Sequence, residues 1–271
     1  MRLRSIIGTT AFLAAMYFCA GIYVLRFHLE PLLVPRADAP TLPSIPPLQS
    51  IGGHEETLLV RRYGVPRVGC VLFFPGQHGS IPGYDTQLFP AFTGHGIAVL
   101  AVAYPGQDGA PGALDLKQMR ALGMRTLAAA SAICGEHRVI VYGRSLGSMV
   151  AAYSVASHQP AGLILEGTTP SLASAIRLRL RVHWYLAPLA ALPVSTLLAH
   201  DFSLKEALSQ TPLKQAVAFQ GTADSETPLS ALRITPGLEK LRIVEVRGGT
   251  HSTTYRLAEH QMVEMAESML R

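Results

Sequence analysis

Seven short apolar runs recur along this chain: Thr57–Tyr63, Val68–Phe74, Ile97–Tyr104, Arg138–Tyr142, Leu163–Glu166, Ala216–Gln220 and Leu241–Val246. Several are apolar on both faces, as strands are when a mainly parallel sheet is covered on both sides. Between them lie helical candidates at Tyr84–Thr93, Ala113–Ile133, Leu146–His158, Leu229–Lys240 and Thr254–Leu270. This alternation predicts an α/β fold, with a mainly parallel central sheet and helices on both faces. In such folds ligands bind beyond the carboxyl ends of the strands, so the loops there are where function is sought.

Ahead of the first run, "MRLRSIIGTTAFLAAMYFCAGIYVLRFHLEP" sets Arg2 and Arg4 before an uncharged stretch from Ser5 to Leu25, closed by Arg26. A membrane-spanning helix needs about 20 apolar residues, so residues 1–30 are expected to be an N-terminal transmembrane helix. It reads as an uncleaved signal anchor. Phe18-Cys19-Ala20 has a large residue where a small-x-small site needs a small one, and Ala37-Asp38-Ala39 lies far past the apolar run. The basic start favours a cytoplasmic N-terminus, against the pull of Arg26 and Arg36 on the other flank. The main domain is then expected in a periplasm, a lumen or the exterior. Residues 31–50 repeat proline and read as an extended linker, leaving 51–271 as the main domain.

The 271 residues are 49% hydrophobic and 15% charged, which suits one large α/β core. A net charge of +5 raises the question of nucleic acid. The excess divides between the anchor flanks and a local arginine cluster, with no basic stripe of interleaved aromatics, so nucleic acid is not an expected partner. Cys19, Cys70 and Cys134 form no metal or redox pattern. Buried structural thiols are the plain reading, with a Cys70–Cys134 disulfide left open for an exported domain. No metal or cofactor is expected.

The run Arg138–Tyr142 ends at Gly143-Arg144-Ser145-Leu146-Gly147, and a small-residue helical stretch follows at once. Gly-x-Ser-x-Gly should occur by chance in roughly one chain in ten of this length, so the context has to decide. A strand-to-helix turn is the context in which such a serine projects its Oγ above the sheet as a nucleophile. A serine needs a general base, and in this arrangement the acid and then the histidine follow it in chain order. "RGGTHSTTY", after the last strand, supplies His251; "AVAFQGTADSETPLS", after the preceding one, supplies Asp224. Glu226 and Glu166 are the rival acids, the latter with an expected structural role. Two backbone N–H groups should form an oxyanion hole, one on Leu146 and one on Gln77 in "VLFFPGQHGSIPGYD", where Gly76 permits close approach. His78 beside them is expected to take no acid–base part.

With "GRSLGS", "LILEGTTPSL", "DFSLKEAL" before "FQGTADSETP", and "GGTHST", the chain resembles the α/β-hydrolase superfamily from about Glu56 to Leu270. It looks most like the membrane-anchored branch called alpha/beta-hydrolase-domain proteins. The resemblance implies cofactor-free hydrolysis of esters, thioesters or lipid acyl groups. By position it makes Ser145 the nucleophile, Asp224 the acid, His251 the base, and the main chains of Gln77 and Leu146 the hole. The chain departs from the branch at Pro75-Gly76, where His-Gly is common, and at "YPGQDGAPG", where an arginine-containing version is commoner. Altered loop shape with catalysis retained is the expectation.

About fifty residues separate Leu163–Glu166 from Ala216–Gln220, too many for one crossover helix, and a lid is expected at about 171–210. In "IRLRLRVHWYLAPLAALPVSTLLAH", Arg177, Arg179 and Arg181 alternate with Leu178, Leu180 and Val182. Either a buried cap with snorkelling arginines or a basic–apolar lid on an anionic membrane fits that pattern. The function expected is a membrane-anchored serine hydrolase of small-molecule or lipid acyl substrates. A peptidase with the same triad and a noncatalytic scaffold binding a lipid or protein are the rivals, and fold alone does not choose a substrate.

Overall fold

The computed structural model describes every residue except 1, 37–44, 53–57, 80, 81, 157, 199, 212–214 and 240. Part of the Pro-rich linker, with the Ala37-Asp38-Ala39 site, lies outside the described residues, as does the start of the first expected strand.

Among the described residues eight strands form one sheet: β1 (Leu48–Ser50), β2 (Leu59–Tyr63), β3 (Gly69–Phe74), β4 (Ile97–Val102), β5 (Val139–Arg144), β6 (Gly162–Glu166), β7 (Ala216–Gly221) and β8 (Arg242–Val246). Their order is β1-β2-β4-β3-β5-β6-β7-β8. The β1–β2 and β2–β4 pairs are antiparallel; from β4 through β8 every pair is parallel. Alternation along each strand splits the interior into two layers. Cys70, Leu72, Phe74, Val139 and Val141 enter one cluster, and Val71, Phe73, Ile140 and Tyr142 enter the other.

The helices are α1 (Arg2–Phe27), α2 (Leu29–Leu33), α3 (Phe89–Gly94), α4 (Leu116–Cys134), α5 (Leu146–Ser154), α6 (Leu172–Val182), α7 (Val194–Leu197), α8 (Leu204–Ser209), α9 (Leu229–Arg233), α10 (Thr254–Leu257) and α11 (Glu259–Leu270). Leu122 and Leu127 of α4, Val150 of α5 and Leu204 of α8 pack into the first layer, while Phe92 of α3 and Met262 and Val263 of α11 pack into the second.

Local chemistry explains where the expected boundaries shift. The helix expected over Leu229–Lys240 stops at Arg233, because Pro236 biases Thr235 away from helix and Gly237 adopts φ +89°. Tyr84–Thr93 divides into a π-turn over Tyr84–Leu88 and then α3, with Pro90 in the first turn, where a missing N–H costs least. The last helix breaks at Ala258, which no Pro or Gly foretells. The linker differs most: it holds α2, with Pro31 in the first turn, and the edge strand β1. The cysteine reading is corrected too. Cys70 and Cys134 are joined in a disulfide, Cα–Cα 6.1 Å, tying the start of β3 to the end of α4, and Cys19 is free.

Residues 167–215 leave the sheet between β6 and β7 and return to it. The base of this excursion is fastened by Leu172 N–H to Phe202 O at 3.0 Å, Leu204 N–H to Pro170 O at 2.9 Å, and Ala173 N–H to Asp201 Oδ1 at 3.0 Å. The arginine-rich stretch is helix α6, capped by Ser171 Oγ from the Ser174 N–H at 3.1 Å. Leu172, Ala173 and Ile176 turn inward, while Arg179 and Arg181 stay exposed. Helix α1 holds a stretch, Ile6–Phe27, long and apolar enough to cross a membrane.

Candidate active site

β5 runs straight into α5 through Ser145, whose φ of 53° and ψ of −120° are unusual for a residue with a side chain. Such a conformation costs of order 1–3 kcal/mol and persists only where the surroundings enforce it. Here the Ser145 N–H donates to Glu166 O at 2.9 Å, and Ser148 Oγ donates to Ser145 O at 2.5 Å. Gly147 is needed for a different reason: a Cβ there would lie 2.2 Å from Phe74 O. The helix can therefore start only by brushing the end of β3.

Beneath the turn lies a buried polar layer. Glu166 accepts from the Tyr142 hydroxyl at 2.7 Å and from the Tyr84 hydroxyl. Burial pushes both phenols well above their ordinary range, so they remain protonated donors. Burial would depress the Arg144 guanidinium, but the nearby Tyr84 oxygen and Glu166 carboxylate more than offset it and hold it raised. Arg144 Nη2 donates to His251 O at 2.8 Å, so the residue before the serine also holds the loop that carries the histidine.

That loop brings His251 Nε2 to 3.0 Å from Ser145 Oγ and Nδ1 to 2.9 Å from Asp224 Oδ2. Asp224 is buried. Its Oδ1 accepts from the N–H groups of Glu226 at 2.9 Å and Thr227 at 2.8 Å, and its Oδ2 from the Thr227 hydroxyl at 2.7 Å. Burial is the largest influence on this carboxyl and raises it, yet the His251 and Thr227 hydrogen bonds together hold it below its ordinary value. The acid loop and the histidine loop are joined by Ala223 N–H to Gly249 O at 2.9 Å and Thr222 N–H to Val246 O at 3.0 Å.

Ser145, His251, Asp224 and the two main-chain positions are thus drawn to one end of the sheet. Gln77 and Leu146 line the same cavity as Ser145 and His251. A Cβ on Gly76 would sit 3.3 Å from the Ser145 Cβ, so that loop does approach the serine closely. The Gly76 carbonyl accepts from the Gly79 N–H at 3.1 Å, which turns the Gln77 N–H of the same peptide the opposite way. The rival acids fall elsewhere: Glu166 lies under the turn, and Glu226 is exposed at the cavity rim. His78 is exposed, with Nε2 2.8 Å from the Gln77 amide nitrogen.

Three supporting residues escaped the sequence reading. A charged Arg144 at the buried end of an otherwise apolar strand was a usable signal. Thr227 follows Asp224 in the Asp-x-x-Thr spacing of a side-chain-capped turn, a second one. Gln107, buried, donates to Gln77 O at 2.6 Å and to Pro35 O at 3.1 Å, and so ties the Gln77 loop to the segment after α2. Nothing in "YPGQDGAPG" announced that. Among the described residues no group of three or more His, Cys, Asp and Glu side chains is placed to hold a metal ion.

The cavity has a volume of about 330 Å³. Its floor carries Ser145 and His251, its far wall is Leu172 and Ile176 of α6, and the exposed Val182 lies at its rim. A hydrogen-bonded Ser–His–Asp relay at the carboxyl ends of a parallel sheet, opening on a largely apolar cavity, defines the α/β-hydrolase class. Consistently, the sequence model described as the Alpha/beta hydrolase family matches residues 71–267, and the chain belongs to that family. No curated protein sequence matches it. Among solved structures it is similar to an alpha-beta hydrolase from Vibrio vulnificus, at TM-score 0.64 and 18% identity over 80% of this chain and 79% of that one. An esterase of Pyrococcus furiosus gives TM-score 0.61 and 13% identity, covering 88% and 96%. A monoacylglycerol lipase of Paleococcus ferrophilus gives 0.55 and 17%, covering 79% and 100%. At these identities the likeness is one of fold.

Proposed function

We propose that this protein is a serine hydrolase that cleaves ester or other acyl bonds through an acyl-enzyme on Ser145. The observation that carries the reading is the unbroken relay from Asp224 through His251 to Ser145, at 2.9 and 3.0 Å. Ser145 Oγ attacks the acyl carbon while His251 Nε2 takes its proton. Asp224, acceptor-only and ionised, fixes the Nδ1–H tautomer and stabilises the imidazolium. The Gln77 and Leu146 N–H groups receive the negative oxygen of the tetrahedral intermediate, each such donor being worth about 10²–10³ in rate. Collapse expels the alcohol with the proton from His251; water then enters, gives a proton to His251, and releases the carboxylic acid and free Ser145. Residues 171–210 act as a lid whose α6 supplies the apolar wall for the acyl group. The esterase and lipase among the similar folds favour such substrates.

Helix α1 is the membrane anchor in this reading, with the catalytic domain on the non-cytoplasmic side. Arg2 and Arg4 ahead of the span favour that orientation, and the Cys70–Cys134 disulfide belongs to an oxidising compartment.

The test is labelling of the detergent-solubilised full chain with a fluorophosphonate probe, followed by peptide mapping. An adduct on Ser145, absent from Ser145→Ala, is expected. A folded wild type that stays unlabelled in detergent and in liposomes would sink the proposal in favour of a noncatalytic scaffold.

A further inference from the structure

Helix α1 does not meet the rest of the protein evenly. From Ile6 to Met16 every residue is exposed, whereas Gly21 and Leu25 are buried and Tyr17 is partly so, a stripe at four-residue spacing on one face. What covers the stripe is the excursion. The Tyr17 hydroxyl donates to Tyr185 O, Leu189 closes over Gly21, and Arg26 Nη1 reaches Leu197 O at 3.4 Å. Residues 185–197 therefore run alongside α1 from its middle to its end. Tyr17 is ten residues before Phe27, about 15 Å along the axis. That is half of a hydrocarbon core about 30 Å thick.

A segment at that depth beside a membrane-crossing helix faces lipid, and its composition suits that. At the tip, Val182, Trp184 and Tyr185 project their side chains, Trp184 with 86% of its surface free. Arg179 and Arg181, exposed in the last turn of α6, are side chains of the kind that lay an apolar stem against lipid and turn the charge toward the phosphates. The cavity opens here as well: Arg179, Val182 and His183 line one side, and Leu33, six residues beyond the end of α1, lines another. At about 330 Å³ the cavity is at the small end of ligand sites, roomy enough for one acyl arm and not for a whole two-chain lipid.

From these positions we infer that the tip Arg181–Tyr185 is seated in the non-cytoplasmic leaflet of the bilayer, and that acyl-ester substrate enters the cavity sideways from that leaflet. The inference rests on the serine-hydrolase reading for its chemistry and on α1 as the anchor for its depth. The substrate class is a bilayer-resident acyl ester, presented chain first and hydrolysed while its remaining apolar part stays in lipid.

Trp184 is the protein's single tryptophan and reports on its own seat. The full chain is reconstituted in phosphatidylcholine vesicles with a minor fraction of phosphatidylglycerol, carrying bromine near the carbonyl end or near the methyl end of the acyl chains. Emission quenched by lipid bromine and shielded from aqueous iodide is expected. Emission quenched by iodide and indifferent to bromine overturns the seating. Trp184→Asp, which leaves the cavity lining intact, is then assayed on a water-soluble short-chain ester and on a long-chain ester held in the same vesicles. The soluble reaction should be unchanged and the vesicle reaction should fall by about tenfold, the cost of setting a charge in place of a lipid-buried aromatic. Equal loss on both esters makes the tip a folding element and overturns the lateral route. A wild type that hydrolyses neither ester overturns the serine-hydrolase reading and the route with it, while the quenching result by itself decides the seating.

Discussion

The sheet and the N-terminal helix use apolar residues in opposite ways. Along β3 no residue from Cys70 to Phe74 is more than 3% exposed, because each face has a helical layer from the same chain against it. Along α1, Ile6 is 61% and Phe12 64% exposed. The first region supplies its own apolar surroundings and the second lacks them, so the second needs another medium. The cavity lies on the seam, with Ser145 and His251 on the self-sufficient side and Val182 and His183 toward the other.

The largest effect expected on the sheet side comes from the acid. Asp224→Asn keeps the shape and removes the acceptor that fixes the His251 tautomer, so ester turnover should fall by about 10⁴-fold. The Trp184 emission of the same variant in vesicles should match wild type. A turnover loss below tenfold would mean that Glu226, or water, serves His251 equally well, and would break the assignment of the acid to Asp224.

The next effect tests how far the sheet side depends on its own staple. The Cys70–Cys134 bond closes a loop with a sequence separation of 64. Loop-closure entropy then puts its contribution at about 4 kcal/mol. The double variant Cys70→Ala, Cys134→Ala should melt at a clearly lower temperature, followed by far-ultraviolet circular dichroism. Trp184 quenching below that melting temperature should be unaffected. Loss of both signals together would show that the excursion is held by the sheet and not by α1 and lipid.

Legibility in the sequence divides along the same seam. The central strands β3, β5, β6 and β7 were readable because burial on both faces leaves largely apolar runs, and Ser145, Asp224 and His251 could be singled out because they sit past the ends of such runs. β1 was missed because an antiparallel edge strand of three residues, Leu48–Ser50, needs no such run. The supports of the site, Gln107 above all, were missed because their partners are backbone carbonyls distant in sequence, and a carbonyl has no residue type. The fate of Arg177, Arg179 and Arg181 could not be read either. In a strand the alternation separates basic and apolar faces, in a helix it spreads the arginines around much of the surface, and only the packing of Leu172, Ala173 and Ile176 chose the helix.

The smallest effect distinguishes the two regions by sign. Asp224, on the sheet, is held below the ordinary 3.8: burial raises it, but the His251 and Thr227 hydrogen bonds prevail. Asp201, at the base of the excursion, ends above 3.8; burial raises it, Glu206 adds to the rise, and the Ala173 N–H, Arg177 and Arg120 offset only part. A lowered carboxyl adds stability that is present above its unfolded value and lost as pH falls through its folded value. A raised one adds stability that is present below its unfolded value and lost as pH rises through its folded value. Acidifying from neutrality toward about pH 4 should therefore firm the excursion base and leave the Asp224 loop unchanged, and further acid should loosen that loop. Asp201→Asn keeps an acceptor for the Ala173 N–H and removes the ionisation cost. Its melting temperature should exceed wild type slightly at pH 7, with the difference vanishing below about pH 4. Asp224→Asn should show the reverse course, a deficit at pH 7 that closes in acid. If Asp201→Asn is instead less stable at pH 7, its charge is holding Arg177 and Arg120 in place, and the excursion is braced by ion pairs after all.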